Sequence, residues 1–322
     1  SRLADVLLVT GFILIAQAIG SADIATVTER LQAGAAAGTP GLEVAAVLIV
    51  LAAALKSAQL PFHGWLIQVM EAPTPVSALL HAGVVNMGGY LLIRLSPVLE
   101  ATHVAVWLLL AIALTTVAIA SLVMMTRISI KVMLAWSTTA QMGFMLLECA
   151  LGLYHLALVH LVAHSFYKAH TFLSSGQAPM QSLIRRGSNE SRRPGAANWA
   201  LALAAGLALF LFAHLLVGKP ITMATLLTGV VLVTAVTSLL AEFGGALGHV
   251  GWRKALAASL AITAAYLLAE QLFIGLAPEA AMAPSPVAFL LAALVLVLML
   301  VARAHIMHRP QARVWQRARP LL

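Results

Sequence analysis

The chain has 322 residues, of which 61% are hydrophobic and only 9% are charged, with a mean hydropathy of +0.97. Soluble domains carry about 25% charged residues, so this composition excludes an ordinary soluble protein and indicates a multi-pass membrane protein. The single cysteine, Cys149, permits neither an internal disulfide nor an iron–sulfur cluster from this chain alone. The sequence contains no phosphate-binding loop and no dinucleotide-binding glycine motif, so the usual machinery of ATP hydrolysis and of nicotinamide or flavin chemistry is missing.

Apolar runs of about 20 residues recur along the chain, which is the length that a helix needs to cross the hydrocarbon core of a membrane. They predict an all-α polytopic membrane protein with about ten transmembrane helices, the second of them broken at Pro61. The predicted spans are residues 4–20, 43–67, 75–96, 101–125, 129–151, 153–176, 197–217, 221–241, 254–275 and 285–305.

Polar residues divide the chain into zones. Residues 1–177 hold every lysine predicted to lie at membrane depth, together with most of the histidines. A basic loop follows at 178–196, then four blander spans rich in Ala, Leu and Val at 197–305, and a basic tail at 306–322 that fits a membrane surface or a partner. Because the chain starts without an initiator methionine, we expect the first helix bundle to continue before Ser1.

The basic residues are distributed unevenly between the two sides of the membrane that ten spans imply. Both termini then lie on one side, which collects most of the Lys and Arg residues, whereas the opposite side receives only Arg30, Arg94 and Lys219. This asymmetry predicts that both ends of the chain are cytoplasmic, and it explains the net charge of +8 without nucleic-acid binding.

Lys56 ends a long apolar run, and Pro61 follows five residues later. Proline lacks a backbone N–H and clashes with the preceding turn, so we expect the helix to break just after Lys56. Irregular backbone at membrane depth is tolerated only where protein or water satisfies it, so the break marks a cavity. Desolvation there would allow Lys56 to release its proton, which makes it a candidate proton carrier. Alternatively, its side chain reaches an interface.

A second candidate group follows the break. Pro73 and Pro75 mark the start of a helix, with Glu71 just ahead of it near the cytoplasmic surface. His81 lies about 9 Å further along that helix. Histidine titrates near neutrality and can pass protons in either direction. The alternative is a core histidine bonded to a serine or a carbonyl.

A third group lies in the span 129–151. Lys131 is near its cytoplasmic end, where it either takes part in proton transfer or only orients the helix. Ser137, Thr138 and Gln141 either hold water along a path or join neighbouring helices by hydrogen bonds.

The fourth group is a histidine-rich span in which His160, His164 and Lys168 share one helical face at i, i+4 and i+8. His155 and His170 lie in the same span. Histidines at i and i+4 can share a zinc ion, but no carboxylate or cysteine is nearby in sequence and a lysine on the same face disfavours a cation. We therefore predict no metal or other cofactor in this chain and favour a proton relay, with packing histidines as the alternative.

These segments together resemble the proton-translocating antiporter-like family, which includes the NuoL and NdhF types of complex I subunit and Mrp antiporter subunits. The motifs that carry the resemblance, in the family's helix order, are Arg2–Asp5 for the sixth helix, Lys56–Trp65 for the broken seventh, Ala72–Ala82 for the eighth, Ile130–Gly143 for the tenth and His164–Leu173 for the eleventh. The resemblance implies that Lys56 is the central proton-bearing lysine, with His81, His160 and His164 as relay residues. The glutamate with which the family pairs that lysine is expected before Ser1.

After Gly176 the sequence departs from the complex I and Mrp pattern, because residues 197–241 lack a second broken helix with a Gly-Leu-Pro-Pro-type motif and its lysine. The motif Tyr-Lys-Ala-His at residues 167–170 and the four apolar spans at the end of the chain are most similar to the DabB branch. That branch works in the bacterial inner membrane with DabA, a soluble zinc protein similar to β-carbonic anhydrase, in inorganic carbon uptake. The resemblance thus implies an ion-conducting subunit without catalysis of its own, with zinc on a cytoplasmic partner.

Two other functions fit the sequence. One is a NuoL-, NdhF- or Mrp-type pumping or antiporter subunit. The other is a membrane scaffold that anchors a cytoplasmic enzyme through the basic segments Arg185–Arg193 and Arg303–Arg319, in which case Lys56 would be dispensable.

Overall fold

The computed structural model describes residues 2–34, 38–177, 195–218, 223–273 and 285–308. The described residues contain no β-strand, which confirms the all-α class. The α-helices are α1 (Arg2–Ile19), α2 (Ile24–Gln32), α3 (Pro40–Lys56), α4 (Gly64–Gln68), α5 (Thr74–Ala82), α6 (Met87–Arg94), α7 (Ser96–Glu100), α8 (Val104–Thr126), α9 (Ile130–Ala150), α10 (Tyr154–Leu173), α11 (Ala196–Val217), α12 (Met223–Phe273) and α13 (Pro286–His308).

The helices fall into two compact units. The N-terminal unit is built from α1–α10, in which α3 packs against α1, α6 and α8, and α10 packs against α5, α6 and α9. The C-terminal unit is built from α11, α12 and most of α13. Residues 178–194 of the predicted basic loop 178–196 and residues 309–322 of the predicted tail 306–322 lie outside the described residues.

The predicted break after Lys56 is confirmed, because α3 ends at Lys56 and regular helix resumes only at Gly64. The Leu60–Pro61 peptide bond is cis. Other helices satisfy part of the irregular backbone: Leu60 N–H donates to Thr116 Oγ1 at 3.2 Å. The chain between the two helix pieces is thus held by protein contacts, as membrane-depth irregular backbone requires.

The span predicted as one helix at 75–96 is interrupted. Helix α5 ends at Ala82, a 3₁₀ turn covers Val84–Asn86, and α6 begins at Met87. The Asn86 side chain donates from Nδ2 to the Ala82 carbonyl at 2.8 Å and to Ser165 Oγ at 2.7 Å. An asparagine that bonds nearby carbonyls competes with the helical ladder, which explains why the single-helix prediction is wrong here.

The largest correction concerns the C-terminal unit. Two spans were predicted at 221–241 and 254–275, but α12 is one continuous helix of 51 residues. At 1.5 Å per residue it is about 75 Å long, more than twice the hydrocarbon thickness of a bilayer. The segment between the predicted spans is rich in glycine but contains no proline, and glycine lowers helix stability by about 1 kcal/mol without forcing a break. In the described residues, the two predicted spans are therefore parts of one helix, with no turn between them.

Within the described residues, four helices are long and apolar enough to cross a membrane, namely Arg2–Ile19, Thr74–Arg94 taken across its interruption, Val104–Thr126 and Ala197–Leu216. Thr228–Ala241 and Pro286–Met299 are shorter apolar stretches. Helices α3, α9 and α10, which carry Lys56, Glu148 and the histidine-rich face, are not among these four.

Charged side chains fix several helix ends in the N-terminal unit. Glu43 of α3 accepts backbone N–H groups of His103 at 2.8 Å and Val104 at 3.2 Å, and so caps the start of α8. Asp23 caps α2 by accepting from Thr26 N–H at 2.9 Å. That hydrogen bond lowers the pKa of Asp23 from its ordinary value.

Candidate functional site

The histidine-rich face predicted on α10 is directed into the N-terminal unit. His164 is 4% exposed and Lys168 is completely buried, whereas His170 is exposed. The rings of His160 and His164 lie 6.2 Å apart between centroids. His81, His160 and Lys168 all lie within electrostatic range of His164. The structure therefore brings four of the predicted relay residues, three of them buried, into one column beside α10.

Lys168 is held by neutral oxygen atoms of α9. Its Nζ donates to Ser137 Oγ at 2.7 Å and to the Leu134 carbonyl at 3.2 Å. In the described part of the chain no carboxylate pairs with it. A buried lysine without a counter-charge is a group that can change its charge by releasing a proton.

His81 of α5 faces the same column. Its Nδ1 lies 3.0 Å from Thr138 Oγ1, and its ring stacks on Phe172 at 4.4 Å between centroids. Thr138 in turn donates to the Leu134 carbonyl at 3.0 Å, so its hydroxyl oxygen accepts a hydrogen bond from His81 Nδ1–H and fixes the ring. Among the described residues, His81 Nε2 and both ring nitrogens of His164 have no hydrogen-bond partner. These ring nitrogens are thus buried without a protein partner in the described part of the chain.

His160 pairs with a carboxylate that the sequence reasoning missed. Its Nδ1 lies 3.1 Å from Glu148 Oε2, and the two side chains are 13% and 11% exposed. Glu148 is 12 residues from His160 in sequence, but folding brings the carboxylate beside the imidazole, so the prediction that no carboxylate is near the histidines is wrong in three dimensions. Even so, no group of three or more His, Cys, Asp or Glu residues in the described part of the chain is arranged to hold a metal ion. An acidic residue within an apolar span was the signal that could have found Glu148.

Lys56 is part of an ion pair at the end of α3. Its Nζ lies 2.6 Å from Asp5 Oδ1 of α1, with side-chain exposures of 20% and 57%. Asp5 was not predicted as a site residue, because the partner carboxylate was expected before Ser1. A pair this exposed is screened by solvent and contributes little to stability. Lys56 therefore lies at the edge of the bundle, with no direct hydrogen bond to the histidine column in the described structure.

Further buried polar side chains lie in the break after Lys56 and on α9. Ser57, Gln59 and Thr139 are completely buried, and within the described residues Ser57 Oγ, Gln59 Oε1 and Thr139 Oγ1 have no hydrogen-bond partner. Gly88 brings α6 against Ser57, and Gly143 brings α9 against Gln59. Buried oxygen atoms of this kind are the groups that bind water in protein interiors.

The remaining predicted residues lie at the periphery. Lys131 Nζ donates to the Ala72 carbonyl at 3.1 Å and so ties the start of α9 to the turn before α5. Glu71 is exposed beside this turn. Gln141 is also exposed, so the structure does not place it with Ser137 and Thr138.

Comparison with known proteins identifies the family. Residues 1–245 match the family described as "NADH:quinone oxidoreductase/Mrp antiporter, TM". The chain belongs to this family. It is therefore a multi-pass membrane protein of the antiporter-like class, as the motifs from Arg2 to Leu173 predicted.

Its curated relatives include subunits of carbon transporters and of quinone oxidoreductases. The chain is 45% identical over 278 residues to "Probable inorganic carbon transporter subunit DabB2" of Halothiobacillus neapolitanus, covering 85% of this chain and 50% of that protein. It is 61% identical over 144 residues to "Probable inorganic carbon transporter subunit DabB" of Hydrogenovibrio crunogenus, covering 45% and 28%. It is 37% identical over 180 residues to "NAD(P)H-quinone oxidoreductase chain 5" of Synechocystis, covering 55% and 26%.

The fold is also found in a solved structure. The Mrp complex from Dietzia superposes with a TM-score of 0.57 at 23% identity, covering 96% of this chain and 39% of the matched chain. The chain spans about half the length, or less, of the curated relatives that it matches.

Proposed function

We propose that this chain is the ion-conducting membrane subunit of an inorganic carbon transporter. The similarity to the DabB-named relatives supports the carbon-transport assignment, since it extends over 85% of the chain. The buried column of His81, His164 and Lys168 is the observation that supports ion conduction. Placing an ionisable group in a membrane costs about 3 kcal/mol. A helix bundle that buries several such groups is therefore expected to need them for its function.

The conducted ion is a proton in this proposal. The column presents imidazole and amine nitrogens, which take up and release protons, whereas sodium is bound by oxygen atoms. Lys56 receives or releases the proton at the edge of the bundle, with Asp5 as the group that stabilises its charged form. Water held by Ser57, Gln59 and Thr139 joins Lys56 to the column.

Within the column the proton passes between neighbouring side chains. His81 and Lys168 approach α9 from α5 and α10, and Thr138 and Ser137 hold them in place. His164 has two unpartnered ring nitrogens among the described atoms, so it can accept a proton on one and release a proton from the other. Ion movement would drive a partner if the protonation of Lys168 shifts the balance between two conformations of the complex.

The partner is a DabA-like soluble zinc protein at the cytoplasmic face, and it supplies the carbonic-anhydrase-like conversion of carbon dioxide to bicarbonate. The basic loop 178–196 and the basic tail 306–322 are the segments proposed to face it. The distribution of Lys and Arg over the ten predicted spans supports a cytoplasmic position for both ends of the chain in a bacterial cell, with the helices in the inner membrane. Neither zinc nor a catalytic group is assigned to this chain.

The test is carbon-dependent growth and bicarbonate uptake in cells that make the complete protein with its partner. We expect Lys56→Ala to abolish uptake at unchanged membrane abundance, and a protonophore to abolish it in the wild type. Lys254→Ala, which changes an exposed lysine of α12, is the matched control and should retain uptake. Wild-type uptake by Lys56→Ala would refute conduction through Lys56 and favour the scaffold function.

A second candidate is a pumping or antiporter subunit of the complex I or Mrp type. The fold likeness to the Dietzia Mrp complex and the identity to the Synechocystis chain favour it. In membrane vesicles without a DabA-like partner, an antiporter subunit in its own assembly would exchange sodium for protons. Exchange of this kind, together with unchanged carbon uptake after deletion of the gene, would decide for this candidate.

A further inference from the structure

Glu148 and His160 form a buried acid–base pair at one end of the column. Glu148 lies two residues before the end of α9, and His160 lies in the second turn of α10, so the pair is next to the turn that joins these helices. The Glu148 residue is only 8% exposed, and the ring of Phe144 covers the His160 ring at 5.6 Å between centroids. The pair is therefore held inside the bundle and is not a surface salt bridge.

The position of the pair complements that of Lys168. His160, His164 and Lys168 follow one another at four-residue intervals, so the histidine paired with Glu148 and the buried lysine are about 12 Å apart along α10. A carboxylate thus lies at one end of the column and an ammonium at the other, with His164 between them. The Glu148 carboxylate can therefore attract a proton at the end of the column opposite to Lys168.

We propose that Glu148 and His160 form a proton-storing pair that ends the relay near the α9–α10 turn, and that Glu148 is a further proton-transfer residue. This inference rests on the proposed proton conduction. The pair holds one proton, either as carboxylate and imidazolium or as carboxylic acid and neutral imidazole. When the imidazolium of His160 gives the proton on Nε2 to His164, His160 stays neutral with its Nδ1–H donated to the Glu148 carboxylate, and His164 becomes the cation.

The groups that surround the pair support transfer at this end of the bundle. Cys149 is the other titratable side chain within electrostatic range of Glu148 on the same helix, and from α10 the pair is faced by His164. A cavity of about 200 Å³ begins at the next residue of the helix and is lined by Cys149, Ala150, His103 and Tyr154, among others. Water in this cavity is the proposed source or acceptor of the proton on that side of the membrane.

The experiment measures proton flux into liposomes that contain the complete complex and a pH-sensitive dye. Glu148→Gln keeps the size and hydrogen-bonding shape of the side chain but cannot hold the proton, so we expect flux to fall on the order of tenfold or more at unchanged yield of complex. Glu148→Asp retains the acid and should restore most of the flux. Glu29→Gln, at an exposed glutamate of α2, is the matched control. Proton flux in the double variant Glu148→Gln/His160→Gln should be no lower than in the more impaired single variant, because the two residues act as one unit.

The outcomes separate this inference from the proposed function. A wild-type complex that conducts no protons refutes the proposed function itself. A conducting wild type with equal flux in Glu148→Gln overturns only the role of Glu148. Flux that falls only in proportion to a loss of complex, with Glu148→Asp equally impaired, identifies a structural ion pair and also overturns the inference.

Discussion

The N-terminal and C-terminal units differ in what they bury. The N-terminal unit buries Lys168, His81, His164 and Glu148, all of which can gain or lose a proton. In the C-terminal unit, the buried polar side chains among the described residues are hydroxyls. Two of them, Ser259 and Thr263, donate to carbonyls of their own helix one turn back. Apolar composition alone therefore does not distinguish a helix that buries ionisable groups from a helix that buries only hydroxyls.

The backbone differs in the same way. The N-terminal unit interrupts two of its spans, after Lys56 and at Gly83, whereas the C-terminal unit contains an uninterrupted helix of 51 residues. An interruption frees backbone groups that protein or water must satisfy, so it draws polar side chains into the bundle. Ionisable groups and broken helices thus occur together, and three paired substitutions test whether this association is functional.

The largest difference is expected between two lysines. Lys168→Met replaces the buried ammonium by an apolar side chain of similar length, and proton flux through the reconstituted complex should fall about 100-fold, the scale of a lost proton-transfer group. Lys254→Met changes an exposed lysine of the C-terminal unit and should leave flux unchanged. Equal flux in both variants would show that burial does not mark the path.

An intermediate difference is expected between two glycines, measured as thermal stability of the purified complex. A Cβ atom at Gly88 would overlap Ser57 Oγ and the Ala53 carbonyl, so Gly88→Ala should destabilise the N-terminal unit by about 1–3 kcal/mol. At Gly206 the nearest atoms, Thr237 Oγ1 and the Val233 carbonyl, are 3.1 and 3.3 Å from such a Cβ. The higher helix propensity of alanine, about 1 kcal/mol, should offset that strain. Equal losses of stability in the two variants would mean that the close contact of Gly88 with Ser57 does not require a glycine more than Gly206 does.

The smallest difference is expected between two threonines. Thr138→Val removes the hydroxyl that fixes His81, and the loss of a hydrogen bond worth about 1 kcal/mol should slow proton flux about fivefold. Thr237 is 2% exposed in the C-terminal unit and its hydroxyl has no partner among the described atoms, so Thr237→Val should leave flux unaltered and stability equal or slightly higher. Flux lowered equally in both variants would place the C-terminal unit on the path as well.

The sequence determined the class of the protein and the residues of one helical face. Hydropathy predicted the all-α membrane fold. Pro61 predicted the break after Lys56, because a missing backbone N–H interrupts a helix whatever packs around it. The four-residue spacing gave the common face of His160, His164 and Lys168, because helical periodicity fixes it within a single element. The same local rules gave the wrong answer for α12, where glycines alone did not end the helix.

The tertiary structure decided which partner each of these residues meets. Asp5 is 51 residues from Lys56 in sequence, Thr138 is 57 residues from His81, and Glu148 precedes His160 across a turn. Periodicity orients a side chain toward the interior but does not specify which neighbouring helix presents a carboxylate or a hydroxyl to it. That choice depends on how the helices pack, and packing converts a row of ionisable residues into a column with an acid at one end and a lysine at the other.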